Sequence, residues 1–282
     1  MKFHCLCLSP AIDATVTLPE APRGAGEVFK DVSVVENAGG KGLNVARWLA
    51  LRGVSVTCGG LLGEENARPF EAELRRYGIG DRFRRVPGAT RRNEMITWPG
   101  GSFKINRPAF PGLSADGLVM DLSDLESGDV LVLSGSLPQD FPSDYYARLI
   151  ADCRDRDVTT VLDASGAALV AGVNAHPDVI KPNAEECVAL VGFVPKMPSE
   201  FQQASRLLKE KVSYPIISDG SNGCWFDGNF VPSPKVDVVD TTAAGDTLLA
   251  DWCYSRDPVR AVAAGSAACT MPGSQPPDPN LI

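Results

Sequence analysis

Three features of the 282-residue sequence predict an α/β fold with a mostly parallel sheet covered by helices on both faces. Beyond residue 107, short β-branched runs alternate with segments of helical spacing, the pattern of successive β-α-β units. In the opening run Phe3–Leu8, Cys5 and Cys7 alternate with Leu6 and Leu8, as in a strand buried on both sides. Two turn-rich extended regions, near 12–36 and 82–107, interrupt the alternation and predict a small second sheet, a candidate lid.

The elements follow in order. After the strand Phe3–Leu8, stretches near Thr15–Leu18 and Val28–Val35 are extended between Pro/Gly-rich turns. Lys41–Leu51 has Leu43, Val45, Ala46, Leu49 and Ala50 at helical spacing. A strand Val54–Cys58 and a helix Glu64–Tyr77 come next. The 82–107 region has turns at Pro87-Gly88 and Pro99-Gly100-Gly101. Strand Val130–Leu133 leads to a helix beginning near Pro142. Strand Thr159–Leu162 leads to a short helix, and Val179-Ile180 to a helix after Pro182. Pro215–Ser218 and Cys224–Phe226 read as strands, about Ala243–Tyr254 and Val259–Cys269 as helices, and the tail from Pro272 as irregular. The whole of 1–282 is expected to form one domain, with the lid inserted in its core.

Composition narrows the function. Hydrophobic residues make up 44% and charged residues 22%, as in an ordinary globular protein. No apolar run is long enough to span a bilayer, and the N-terminus lacks the pattern of a secretory signal, so a cytoplasmic place is expected. The net charge of −8 opposes nonspecific binding to nucleic acid or anionic membranes. Eight cysteines contain no C-x-x-C pair, and only His4 and His176 could join them, so reduced core thiols are expected rather than a zinc site. Arg82, Arg84, Arg85, Arg91 and Arg92 cluster within eleven residues. They suit either an anionic small-molecule site or a charged hairpin edge.

The strongest chemical signal is Val238–Asp246, V-V-D-T-T-A-A-G-D. Small residues lead into a helix, Thr241 or Thr242 is placed to cap it, and the amides of residues 243–245 face outward beside Asp246. Such a turn suits a site that holds phosphate while a hydroxyl loses its proton; an ordinary helix start also looks like this. In Asn37-Ala38-Gly39-Gly40-Lys41-Gly42-Leu43-Asn44, the glycines allow close approach of backbone to a ligand, and Lys41 and Asn44 offer a charge and an amide. Lys181-Pro182-Asn183-Ala184-Glu185-Glu186 reads either as a capping-box pair or as Asn183 and Glu186 organising metal-bound water near phosphates. Ser134-Gly135-Ser136-Leu137-Pro138 ends a strand at the edge where α/β sheets bind ligands. Asp13 is placed to accept hydrogen bonds from sugar hydroxyls, or to form a turn.

These motifs, with Thr90-Arg91-Arg92-Asn93 and Asp163-Ala164-Ser165-Gly166, occur in an order that resembles the ribokinase-like (pfkB) carbohydrate kinases over the whole chain. Leu8–Asp13, Gly39–Arg47 and the Thr-Arg-x-Asn element resemble in particular the branch of 1-phosphofructokinase and tagatose-6-phosphate kinase. The resemblance implies a three-layer α/β/α sandwich, and a β-sheet lid that often pairs with a second subunit. It also implies ATP, Mg2+ and a phosphorylated ketohexose. By that likeness Asp246 is the base, and the amides of Ala243, Ala244 and Gly245 form the anion hole. Lys41 and Arg91 bind the phosphate already on the sugar. Asp13, Gly39, Gly40, Asn44, Asn93 and Ser136 surround its hydroxyls. Lys181, Asn183, Ser218, Gly220 and Gly223 line the nucleotide site, and Asn183 and Glu186 serve the metal through water.

Three departures from the family pattern stand out. Ala243 replaces a glycine, which a helical backbone at that residue would tolerate. Asp251 stands where a small residue is usual, either facing the nucleotide phosphates or facing solvent. The stretch between Asp246 and Ala264 is shorter than the family norm. Fructose 1-phosphate is the favoured acceptor; tagatose 6-phosphate, fructose 6-phosphate and unphosphorylated sugars or nucleosides stay open. So does a catalytically weak sugar-phosphate-binding protein.

Overall fold

A computed structural model describes residues 1–30, 32–115 and 121–282. The chain runs β1 (Phe3–Cys7), β2 (Ala11–Thr17), β3 (Ser33–Gly39), α1 (Lys41–Leu51), β4 (Val56–Gly63), α2 (Arg68–Tyr77), β5 (Gly80–Val86), β6 (Arg92–Trp98), β7 (Gly101–Ile105) and β8 (Val130–Ser134). It continues α3 (Tyr145–Cys153), β9 (Thr159–Asp163), α4 (Gly166–Asn174), β10 (Val179–Ile180), α5 (Cys187–Val191), α6 (Pro198–Leu208), β11 (Tyr214–Ser218), β12 (Gly223–Phe226), β13 (Asn229–Pro232), α7 (Ala244–Ser255) and α8 (Pro258–Ala268).

One sheet has nine strands in the order β13-β12-β11-β10-β9-β8-β1-β4-β5. Neighbours from β5 to β11 pair in parallel, and β12 pairs antiparallel with both β11 and β13. Side chains alternate across it. Phe3, Cys5, Cys7, Val130, Val132, Val161 and Ile216 face a core built with α1, α2, α7 and α8. Leu6, Leu8, Leu131, Leu133, Leu162, Ile180 and Ile217 face a second core built with α3, α4, α5 and α6. The result is the expected three-layer sandwich. Strand order reverses beside β1, whose neighbours are β4 and β8. That reversal opens a crevice beyond the carboxyl ends of the strands.

The second sheet, β3-β2-β6-β7, has four strands. Its outer face leaves Val34, Phe103 and Ile105 exposed. The boundary of the lid differs from the expected one. Gly80–Val86 pairs in parallel with β4 and closes the edge of the large sheet, so of the 82–107 region only the part from Arg92 onward builds the lid. Phe83 and Val86 are buried, while Arg82 and Arg85 pair with Asp124, Asp81 and Glu71. Charged side chains on an edge strand discourage pairing with another chain. The arginine cluster is thus split, with only Arg91 reaching the crevice wall.

Other differences are local. Asn37–Gly39 ends strand β3 instead of forming a loop. The expected Glu64–Tyr77 helix breaks into a 3-10 turn and α2, because Pro69 fits only a first helical turn. Helix α6 is missing from the sequence reading; Phe201, Ala204, Ser205 and Leu208 form its buried face, but Ser199-Glu200 and Gln202-Gln203 blur the period. No helix among the described residues is long and apolar enough to cross a membrane.

Candidate active site

The crevice at the strand reversal holds a cavity of about 500 Å³ between the lid, the start of α1 and the start of α7. Lys41 and Asp246, about two hundred residues apart, both line it.

Helix α7 starts at Ala244 and carries Asp246 in its first turn. Asp246 is buried, and Asn44 Nδ2 donates to its Oδ2 at 2.8 Å. Burial pushes its carboxyl above the usual range; Lys41 opposes this, Asp163 adds to it, and the Asn44 bond and Lys181 oppose it. The turn before it is not capped by a threonine. Thr242 N and Oγ1 instead bond to Asp240 Oδ1 at 2.8 and 2.7 Å, a local Asx-type turn. Ala243 has φ +64°, in the left-handed region, and not the helical backbone expected for it. A side chain there costs on the order of 1–2 kcal/mol. The turn therefore keeps a backbone path that favours glycine; Ala244 N–H donates to the Thr241 carbonyl at 3.4 Å, and Ala243, Gly245 and Asp246 line the cavity.

Two cations flank one carboxylate above this turn. Lys41 Nζ and Lys181 Nζ each lie 3.3 Å from Asp163 Oδ1, at the end of β9. Burial alone raises the Asp163 carboxyl, but Lys181 and Lys41 outweigh it and hold it below the usual range. Asp163, in return, holds Lys41 above the ordinary lysine value. A Cβ on Gly245 would sit 3.2 Å from Lys181 Nζ, so glycine lets the ammonium lie over the helix start. The sequence assigns Asp163 no role; its place at the end of a strand and before a helix is the signal it carries.

The lid side gathers the remaining expected contacts. Asp13 on β2 accepts from Asn93 Nδ2 at 3.1 Å, and burial raises its carboxyl. Gly40, with φ +127°, caps α1 where a Cβ would collide with Cys7 Sγ. Ser136 is exposed in the cavity wall; Gly39 ends β3 outside it. Arg91 donates to the carbonyls of Ser9, Pro10 and Arg107, using three of its five N–H groups. Lys104 on β7, which sequence reasoning missed, lines the cavity and donates to Thr242 Oγ1 at 3.3 Å. Its strand was legible, its reach across the crevice was not.

The other expected residues lie toward β10–β12. Asn183 and Glu186 bond each other: Asn183 N–H donates to Glu186 Oε2 at 2.9 Å, and Glu186 N–H to Asn183 Oδ1 at 2.7 Å. Asn183 also bridges to Ser218 at the end of β11. Gly220 and Gly223 bound the turn between β11 and β12. None of these five residues lines the cavity, whereas Lys181 does. Asp251 faces neither phosphates nor solvent. It is fully buried, accepts from Trp48 Nε1 at 3.0 Å and pairs with Arg260 Nε at 3.2 Å. It thereby ties α7 to α1 and α8. Arg256 and Asp257 alone connect α7 to α8, which accounts for the short segment.

A crevice at a strand reversal, a helix start beside a buried carboxylate, and a sheet lid define a small-molecule kinase. Solved structures share the fold. Phosphofructokinase-2 from Escherichia coli in complex with substrates and products superposes with a TM-score of 0.90 at 26% identity, over 100% of this chain and 98% of that one. Ribokinase from Thermotoga maritima superposes at 0.77 and 20% identity, over 99% and 97%. The model of the pfkB family carbohydrate kinases matches residues 6–280. The 1-phosphofructokinase of Escherichia coli (strain K12) is 33% identical over 90% of this chain and 83% of its own length, and that of Vibrio cholerae 35% identical over 90% and 82%. The chain belongs to the pfkB family of carbohydrate kinases, phosphotransferases with an alcohol acceptor.

Proposed function

We propose that the chain catalyses ATP- and Mg2+-dependent phosphorylation of a sugar phosphate, converting fructose 1-phosphate to fructose 1,6-bisphosphate. The observation that carries it is the buried carboxylate of Asp246, held by Asn44 at the first turn of α7 and facing the same cavity as Lys41, Lys181 and Arg91. The names of the relatives support the choice of acceptor.

The residues fit a phosphate donor. Lys181 lies over the start of α7, where the missing Cβ of Gly245 leaves room, and both residues line the cavity. They also fit a metal held through water, because Glu186 spends Oε2 on Asn183 and leaves Oε1 for a bound water. When bound, ATP with Mg2+ supplies the phosphoryl group and neutralises its charge. Asp246 takes the proton of the acceptor hydroxyl. The amides of residues 243–245, with Lys41 and Lys181, stabilise charge on the moving group. Arg91, with two N–H groups left, and Lys104 face the phosphate already on the sugar, while Asp13, Asn93 and Ser136 hold its hydroxyls. The lid excludes water.

A pair of lids joined through Val34, Phe103 and Ile105 in a homodimer belongs to this proposal, as does a cytoplasmic setting in which the eight free cysteines stay reduced. Sedimentation of a Phe103→Asp variant as monomer would support the dimer. A coupled ADP-release assay over fructose 1-phosphate, tagatose 6-phosphate, fructose 6-phosphate and fructose tests the reaction. The largest kcat/KM is expected for fructose 1-phosphate; equal turnover of fructose would overturn the assignment.

A further inference from the structure

Arg47 is a buried charge on α1, one turn beyond Asn44 and 3% exposed. Its guanidinium reaches three elements at once. Nη1 donates to Asn44 Oδ1 at 3.2 Å, Nη2 donates to the carbonyl of Ala38 on β3, and Nε lies 3.0 Å from Glu73 Oε2 on α2. Nη1 also faces the carbonyl and hydroxyl of Ser274 in the C-terminal tail, at 3.4 and 3.3 Å.

The bond to Asn44 has a chemical consequence. A side-chain amide has a donor end and an acceptor end. With Oδ1 accepting from Arg47, Nδ2 must point to Asp246. The reversed amide would set its oxygen against the Asp246 carboxylate and its NH2 against the guanidinium, two repulsive contacts in place of two attractive ones. A donated hydrogen bond favours the ionised carboxylate. Without it, one of the contacts that oppose the effect of burial on the Asp246 carboxyl is lost, beside the larger opposition from Lys41.

We infer that Arg47 is a positioning residue that fixes the amide polarity of Asn44, and so turns Nδ2 onto Asp246 Oδ2 and leaves Oδ1 for the acceptor hydroxyl. The inference rests on the reading of Asp246 as base for its kinetic effect, but not for its effect on ionisation. Other charged groups face the pair. Asp246 is near Lys41 of α1, Asp163 of β9, Lys181 after β10 and Cys7 of β1. Both lysines are already engaged with Asp163. Arg47 is near Glu73 and Tyr77 of α2, Cys58 of β4 and Asp13 of β2. A lysine at position 47 would keep the attraction to Glu73, but a single ammonium lacks the planar fork that spans Ala38, Glu73 and Asn44.

The test compares Arg47→Met, Arg47→Lys, Asn44→Ala and the Arg47→Met/Asn44→Ala double variant. The Asp246 carboxyl is titrated by carbon NMR in the ligand-free protein, its signal assigned by its loss in Asp246→Asn, and kcat is followed against pH. In both Arg47 variants the midpoint of Asp246 and the acidic limb of kcat should move to higher pH. Neutral-pH kcat should fall roughly tenfold or more, with KM for the sugar phosphate little changed. The double variant should be no worse than Asn44→Ala, because the two residues act in series. Arg47→Lys keeps the proposal testable where Arg47→Met fails to fold. A lower melting temperature with an unmoved midpoint, or single losses that multiply, would overturn the inference. Should Asp246→Asn retain turnover, the base reading fails on its own, and the NMR midpoint still decides the role of Arg47.

Discussion

The proposed acceptor half, which lines the cavity, and the proposed donor half, beyond it toward β10–β12, are built on different terms. On the acceptor half, Asp13, Asn93, Arg91, Lys104, Lys41 and Asp246 surround one cavity and keep polar atoms turned into it. On the donor half, Asn183 and Glu186 satisfy each other, and two residues join α7 to α8. Asp251, in the core beneath it between α1, α7 and α8, spends its carboxylate on Trp48 and Arg260. The acceptor half is organised by groups left available for a ligand. The donor half is organised by groups that close on one another, so its rigidity comes from internal bonds.

The sharpest break in that contrast is Asp246→Asn. Loss of a general base should lower kcat by roughly 10²–10⁴-fold, while calorimetry still finds sugar phosphate bound. The same variant should raise the melting temperature. A carboxyl raised by burial supports folding fully below the ordinary carboxylate value and loses that support as pH rises through its raised value, so at neutral pH its charge works against folding. Asp163, held low by two lysines, is the reverse: its contribution is present above the ordinary value and lost as pH falls through the lowered one. Thermal melts of Asp163→Asn should show a drop at neutral pH that shrinks in acid.

Asp251→Ala tests the donor half. Removing one partner of a buried pair strands Arg260, and denaturant unfolding should show a loss of about 3 kcal/mol. KM for ATP should rise more than KM for the sugar. Arg91→Ala is the counterpart on the acceptor half. KM for the phosphorylated sugar should rise roughly ten- to a hundredfold with KM for ATP unchanged; no change would point to a neutral sugar. The smallest effect is Ala243→Gly. Relief of the left-handed alanine should add up to about 1 kcal/mol in the same unfolding measurement, offset in part by the chain entropy of glycine.

Helix α1, Lys41–Leu51, was legible because apolar period and helix agree along its whole length. The α7 turn was legible as a site but not in its conformation. Ala243 reads as helical by propensity, and the ring of bonds around Asp240 and Thr242 draws it into the left-handed region. Strand β5 was misplaced because its arginines resemble a lid hairpin, whereas parallel pairing with β4 is a long-range fact that no local pattern encodes. The partners of Asp251 were invisible for the same reason: Trp48 lies 203 residues away along the chain.

Lys104 extends from β7 to the hydroxyl of Thr242, so one strand tip of the lid rests on the bend that precedes Asp246. If the lid closes over a sugar, as proposed above, this contact would carry the closure to the bend. The kinetic signature expected of that coupling is a compulsory sequence of arrivals, acceptor before donor. A non-reactive sugar analogue should compete with the sugar and raise the apparent affinity for nucleotide, and severing the bridge with Lys104→Met should return the two arrivals to random order.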